Sequence, residues 1–164
     1  MIASLSFEEA IACTENLFTS ADLSEPELQQ AIADLIRTDN GARGFYVYYL
    51  TNPVGNHPTE AVIKAIQAVP EPSAELLVKN LVMSTAMAIA HRRNQDESHA
   101  QGSQQVKERT ANLISLLNLT EVKRIANLMK AAAESGTGEY ANFLTKWGYD
   151  SEQRQAIATI TTIS

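Results

Sequence analysis

Three tyrosines fall within four residues, Tyr46, Tyr48 and Tyr49, and Arg43 stands three positions before the first of them. A guanidinium pairs with a carboxylate or phosphate through two parallel hydrogen bonds, and a phenol stacks or donates one bond of its own. On a helix Phe45, Tyr48 and Tyr49 share one face, and Tyr46 and Leu50 another. Arg43, Tyr46, Tyr48 and Tyr49 are therefore the candidate site for an anionic ligand. The competing reading makes them core and rim, since aromatic faces at helical spacing pack more often than they bind. A buried phenol then needs a polar partner, and Arg43, inside Gly41-Ala42-Arg43-Gly44, is placed to supply one.

The histidines are His57, His91 and His99. His57 precedes Pro58 and reads as the start of a helix. His91 and His99 enclose Asp96 and Glu97, the one cluster that resembles a set of metal ligands. On a continuous helix His91 and His99 stand two turns apart, too far to share an ion without a bend, and no standard ligand spacing is met. The expectation is no metal, with His91, Asp96, Glu97 and His99 as the alternative. Cys13 has no basic neighbour in sequence to lower its pKa and reads as a structural thiol rather than a nucleophile.

Whole classes of chemistry find no support. The chain has no G-x-G-x-x-G or G-x-x-x-x-G-K-[ST] loop, no H-E-x-x-H and no paired cysteines, so no cofactor is expected. A single cysteine precludes an internal disulfide, and the first residues carry neither a basic segment nor a long apolar one. Both point to the cytoplasm. The net charge is −6, and the basic pair Arg92-Arg93 is followed almost at once by Asp96 and Glu97. A phosphate backbone needs a basic stripe, so nucleic acid is not an expected partner. The most apolar run, Leu76 to Ala90, is interrupted by Lys79, Asn80 and Ser84. It falls short of the about 20 apolar residues of a membrane span and reads as a buried helix.

The elements that must position these residues are helices. Ser6 with Glu9 and Ser24 with Glu27 are capping boxes, and Phe7, Ala10, Ile11 and Phe18, then Leu28, Ile32, Leu35 and Ile36, recur at helical spacing. Asp39-Asn40-Gly41 is expected to end the second helix. The segment Phe45 to Leu50 is rich in strand formers, as is Ile157 to Ile163, but the latter follows the helix start Asp150 with Gln153. Both are read as helical. Asn52 to Asn56 reads as a turn-rich loop, and Pro58 with Glu60 opens the next helix until Pro70 and Pro72 stop it. A long helix, apolar nearly all round, runs from about 73 to 93. The polar stretch Asn94 to Gln105, with Gly102, is expected to break the chain before the stripe Val106, Leu113, Ile114, Leu117. Asn118 with Glu121 is expected to start the next helix, so the sequon at Asn118 reads as a cap. Ser135 to Gly138 ends that helix, and a short one with Tyr140, Phe143, Leu144 and Trp147 follows, closed by Gly148.

The 164 residues, 45% hydrophobic and 20% charged, suffice for one core without staples. The expected architecture is all-α, a compact single-domain bundle over 1–164 of about eight short helices around one long apolar helix at about 73–93. The expected function is that of a soluble, acidic, non-enzymatic helical protein that binds another protein. The alternative is an anionic-ligand binder or enzyme with its pocket near Arg43 and Tyr46 to Tyr49.

Overall fold

In a computed structural model that describes residues 4–163, the chain is helical throughout, with no strand among the described residues. The order is α1 (Phe7–Thr19), α2 (Glu25–Leu35), α3 (Asp39–Thr51), a 3-10 turn (Pro53–Asn56), α4 (Glu60–Ala68), α5 (Ser73–Arg93), α6 (Glu97–Leu117), α7 (Thr120–Ser135), α8 (Ala141–Lys146) and α9 (Ser151–Ile160). The two segments rich in strand formers lie in α3 and α9. Tertiary contacts group the chain into two units, one of Met1–Leu76 with Asn112–Leu119, the other of Leu77–Ala111 with Thr120–Ser164.

In the first unit both capping boxes form: Ser6 Oγ accepts from the Glu9 amide at 3.1 Å while Glu9 Oε2 accepts from the Ser6 amide at 2.8 Å, and Ser24 with Glu27 repeats the exchange. α1 packs on α3, and α2 on α4. Ile32, Leu35 and Ile36 are buried, as are Val62, Ala65 and Ile66. A Cβ added at Gly44 would lie 2.4 Å from Ala10 Cβ and 2.8 Å from the Ile11 nitrogen. The backbones of α1 and α3 thus approach as closely as they do because Gly44 has no side chain. Asp39-Asn40-Gly41 does not end α2, which stops at Leu35; it opens α3 instead. Thr38 is the cap, its Oγ1 accepting from the Gly41 amide at 3.1 Å. Gly41 is required there for space, since a Cβ would fall 1.9 Å from the Leu35 carbonyl oxygen. Pro58 lies just outside α4, whose N-cap is Thr59, and Gln67 Nε2 donates to the Leu117 carbonyl at 3.2 Å.

In the second unit α7 packs on α8 and α9. Val122, Ile125, Ala126, Met129 and Ala132 form the buried stripe of α7, with Ile157 of α9 and Leu144 of α8 also buried. α9 starts from a third capping box, Asp150 with Gln153, and Gln153 is itself buried, its Nε2 donating to the Ala86 carbonyl of α5 at 3.1 Å. Arg93 closes the same corner by pairing with Asp150 and, at 3.4 Å, with Glu152.

Three further expectations change. The stretch Asn94 to Gln105 is mostly helix, because Asp96 accepts from the His99 amide and starts α6 at Glu97. Gly102 interrupts nothing: its surroundings are open, and glycine in an exposed helix costs only about 1 kcal/mol. α6 is therefore as long as α5, both having 21 residues. Asn118, at φ 48°, terminates α6 in the left-handed conformation, and α7 begins at Thr120. Finally, α5 is not enclosed on every side. Leu77, Val78, Leu81, Val82 and Ala86 are buried, but Met87 is 42% exposed. By length and composition α5 could cross a bilayer, yet 56% of its apolar window is buried within the protein.

The two interior glycines of α3 and α6 respond oppositely to the same substitution. Gly44→Ala should lose about 1–3 kcal/mol by forcing α1 and α3 apart. Gly102→Ala, with nothing to strike, should gain up to about 1 kcal/mol. Denaturant melts of both variants check this, and an unharmed Gly44→Ala would refute the close approach.

Candidate functional site

α3 turns Phe45, Tyr46, Tyr49 and Leu50 inward and leaves Tyr48 half-buried. The rings form one cluster: Phe45 stacks on Tyr49 at 5.2 Å, meets Tyr46 edge-on at 5.0 Å, and Phe18 of α1 packs against Phe45, Tyr48 and Tyr49. The hydroxyls of Tyr46, Tyr49 and Ser73 are buried and find no hydrogen-bond partner among the described residues. Tyr46 and Ser73 face one another closely enough for the serine to favour the phenolate slightly, but out of hydrogen-bonding geometry. Burial pushes both phenols well above the usual tyrosine range. Arg43 reaches neither. It is exposed, with its guanidinium 4.9 Å from the centre of the Phe7 ring. The four residues singled out by spacing are thus divided, the arginine outside and the phenols of Tyr46 and Tyr49 inside, because Arg43 stands at the edge of the stripe that Tyr46, Tyr49 and Leu50 bury and its long side chain carries the charge outward onto Phe7.

The histidines behave differently. A tight turn between α5 and α6, with Gln95 at φ 59°, supplies the bend that a continuous helix would lack. The rings of His91 and His99 come to 5.3 Å, and Asp96 Oδ2 lies 2.7 Å from His99 Nδ1. The His99 amide, then the His99 ring and His91, hold the Asp96 carboxyl below the usual range. Glu97 is exposed and starts α6. No three His, Cys, Asp or Glu side chains gather as metal ligands among the described residues. Cys13 is half-buried, and that burial raises its thiol pKa.

A groove of about 910 Å³ lies in the second unit between the end of α7 and the length of α9. Its α9 wall is Ser151, Arg154, Gln155, Ala158, Thr159 and Thr162, positions that recur at helical spacing. The opposite wall carries Lys130, Glu134, Ser135 and Gly136, with Lys130 paired to Glu134 at 3.5 Å. Arg154 lies across Gly136: a Cβ there would stand 3.5 Å from Arg154 Nη1. Its Nε donates to the Tyr149 carbonyl at 3.3 Å, and among the described residues no carboxylate meets its two terminal nitrogens. Such a fork, half-buried and uncommitted, suits a carboxylate or phosphate.

Charge is divided between the units. The second holds ten Lys and Arg against eight Asp and Glu, a net +2; the first holds three against eleven, a net −8. Sequence reasoning passed over Arg154, which was legible only as part of a helix. The signal was the hydroxyl-rich stripe at 151, 154, 155, 158, 159 and 162, a mainly polar face whose one apolar member is Ala158.

Over residues 6–163 the chain belongs to the family described as uncharacterised conserved protein UCP020893. Neither a curated protein nor a solved structure matches it. The family description assigns no activity, so a function has to be argued from the groove, the aromatic cluster and the histidine pair.

The aromatic cluster itself makes a sharp prediction. A buried hydroxyl without a partner costs stability, so Tyr46→Phe should raise the unfolding free energy by about 1 kcal/mol instead of lowering it. Chemical denaturation measures the sign. A clear loss would mean that the hydroxyl makes a bond of value.

Proposed function

We propose that this family member works by binding and not by catalysis, and that the groove between α7 and α9 docks an acidic segment of a protein partner. The observation that carries the reading is Arg154, which lines the groove beside Gly136 with no carboxylate on its terminal nitrogens among the described residues. A guanidinium left in this state is paired by whatever ligand brings an anionic group. Sites that engulf small molecules are concave and mostly apolar, whereas this groove is open and sets hydroxyls, amide and charge beside the apolar surface of Ala133 and Ala158. An extended segment lying along it, with a carboxylate on Arg154 and polar contacts to Ser151 and Thr159, fits that lining better. The basic excess of the second unit favours the same sign of ligand despite the acidic whole.

The rival reading, a small-molecule pocket against α3, has less support because its anchor and its phenols do not share a site. A cytoplasmic location suits the lone free thiol, Cys13, which a reducing compartment leaves unpaired.

Fluorescence polarisation against a panel of Asp- and Glu-rich peptides tests the proposal. Binding should appear for a subset of acidic sequences, weaken with salt, and fall by about tenfold or more in Arg154→Ala, with Arg154→Lys recovering only part because it lacks the fork. Peptides that bind wild type and Arg154→Ala equally would refute it, as would a panel with no binder.

A further inference from the structure

We propose that His91 and His99 form an exchangeable site for a divalent transition-metal ion at the turn between α5 and α6, with Asp96 as the residue that orients His99. The chain reverses direction over three residues, held by the Asp96 amide donating to the His91 carbonyl at 2.9 Å and the Gln95 amide donating to Arg92 at 3.1 Å. This reversal sets the two rings 5.3 Å apart, centre to centre, and tilted by 32°. An imidazole nitrogen sits about 2 Å from a bound ion, which places its ring centre about 3 Å away. Two such rings at a tetrahedral angle stand about 5 Å apart. The observed separation matches that of two imidazoles sharing one ion.

Asp96 supplies the second requirement. Its Oδ2 accepts a hydrogen bond from His99 Nδ1–H at 2.7 Å, the tautomer that leaves the lone pair on Nε2. A carboxylate behind a histidine in this way fixes the tautomer and raises the basicity of the ligating nitrogen. The other Asp96 oxygen accepts from the His99 amide and starts α6, so the orienting group is held by the helix it caps. Among the nearby cations, Arg93 is engaged by Asp150 and Glu152. The His99 side chain is 73% exposed, so an ion arrives and leaves through solvent. Two nitrogens without a third protein ligand make a weak site completed by water, and imidazole selects Cu2+, Ni2+ and Zn2+ over Mg2+ or Ca2+.

Titration calorimetry of tag-free protein with Ni2+, beside electron paramagnetic resonance with Cu2+, tests the site. One ion should bind per chain, with hyperfine splitting from two nitrogens. His91→Ala or His99→Ala should abolish it at unchanged helicity. Asp96→Asn keeps an oxygen to cap α6 and should weaken binding by about 10–100-fold. An adventitious ion only, seen as binding that survives either histidine substitution or shows a single nitrogen, would overturn the assignment, and so would the absence of binding.

Discussion

A buried side-chain amide must find partners for a carbonyl oxygen and an amino group, and Gln153 finds them on two different helices. Its Oε1 accepts from the Asp150 amide at 3.0 Å and so completes the capping box of α9, while its Nε2 donates to the Ala86 carbonyl in the middle of α5. One residue therefore both starts α9 and fixes its first turn against α5. The ion pair beside it, Arg93 with Asp150, draws more attention by its charge and holds the Asp150 carboxyl at about 2. Those side chains are nearly half exposed, however, and exposed pairs contribute little. The buried amide is the stronger constraint, since a lost partner there cannot be replaced by solvent.

The binding reading follows from that constraint. Arg154 is the next residue after Gln153, and the stripe from Ser151 to Thr159 shares its helix, so whatever holds the first turn of α9 also aims the groove wall. The close approach of α1 and α3 at Gly44 does the equivalent work in the first unit, where it brings Phe18 onto the aromatic cluster of α3. One unit has spent its aromatic residues on packing and carries the negative charge. The other keeps an uncommitted arginine on a polar face.

Helix identity was legible because caps are local chemistry. Ser6 with Glu9, Ser24 with Glu27 and Asp150 with Gln153 each satisfy their own backbone within four residues, and α3 and α9 were read as helices despite their strand-forming composition. The misreadings share a cause. Gly41 and Gly102 looked like helix ends, yet the first is demanded by the Leu35 carbonyl in an adjoining turn and the second is tolerated by open solvent. Neither neighbourhood is visible from spacing. The same limit applies to the sites. Tyr46 and Arg43 were grouped because they are close in sequence, while the rotation of α3 puts one in the core and the other on Phe7. The His91 and His99 pair required a bend whose existence depends on Gln95 adopting a left-handed conformation. Arg154 had no motif at all.

The hold of Gln153 on α5 is tested most directly by replacing its amide with the nearest isostere, Gln153→Glu, and measuring stability against pH. A carboxylate keeps the bond from the Asp150 amide but sets negative charge against the Ala86 carbonyl, whereas the protonated acid can donate to that carbonyl as the amide does. The substituted carboxyl should therefore have a raised pKa in the folded state, so its contribution is present in acid and is lost as pH rises through that value. Relative to wild type, the variant should lose about 1–3 kcal/mol at about pH 7 and recover most of it by about pH 4. A deficit of the same size at both pH values, or none at neutral pH, would contradict the claim that this amide fixes α9 and the groove it carries.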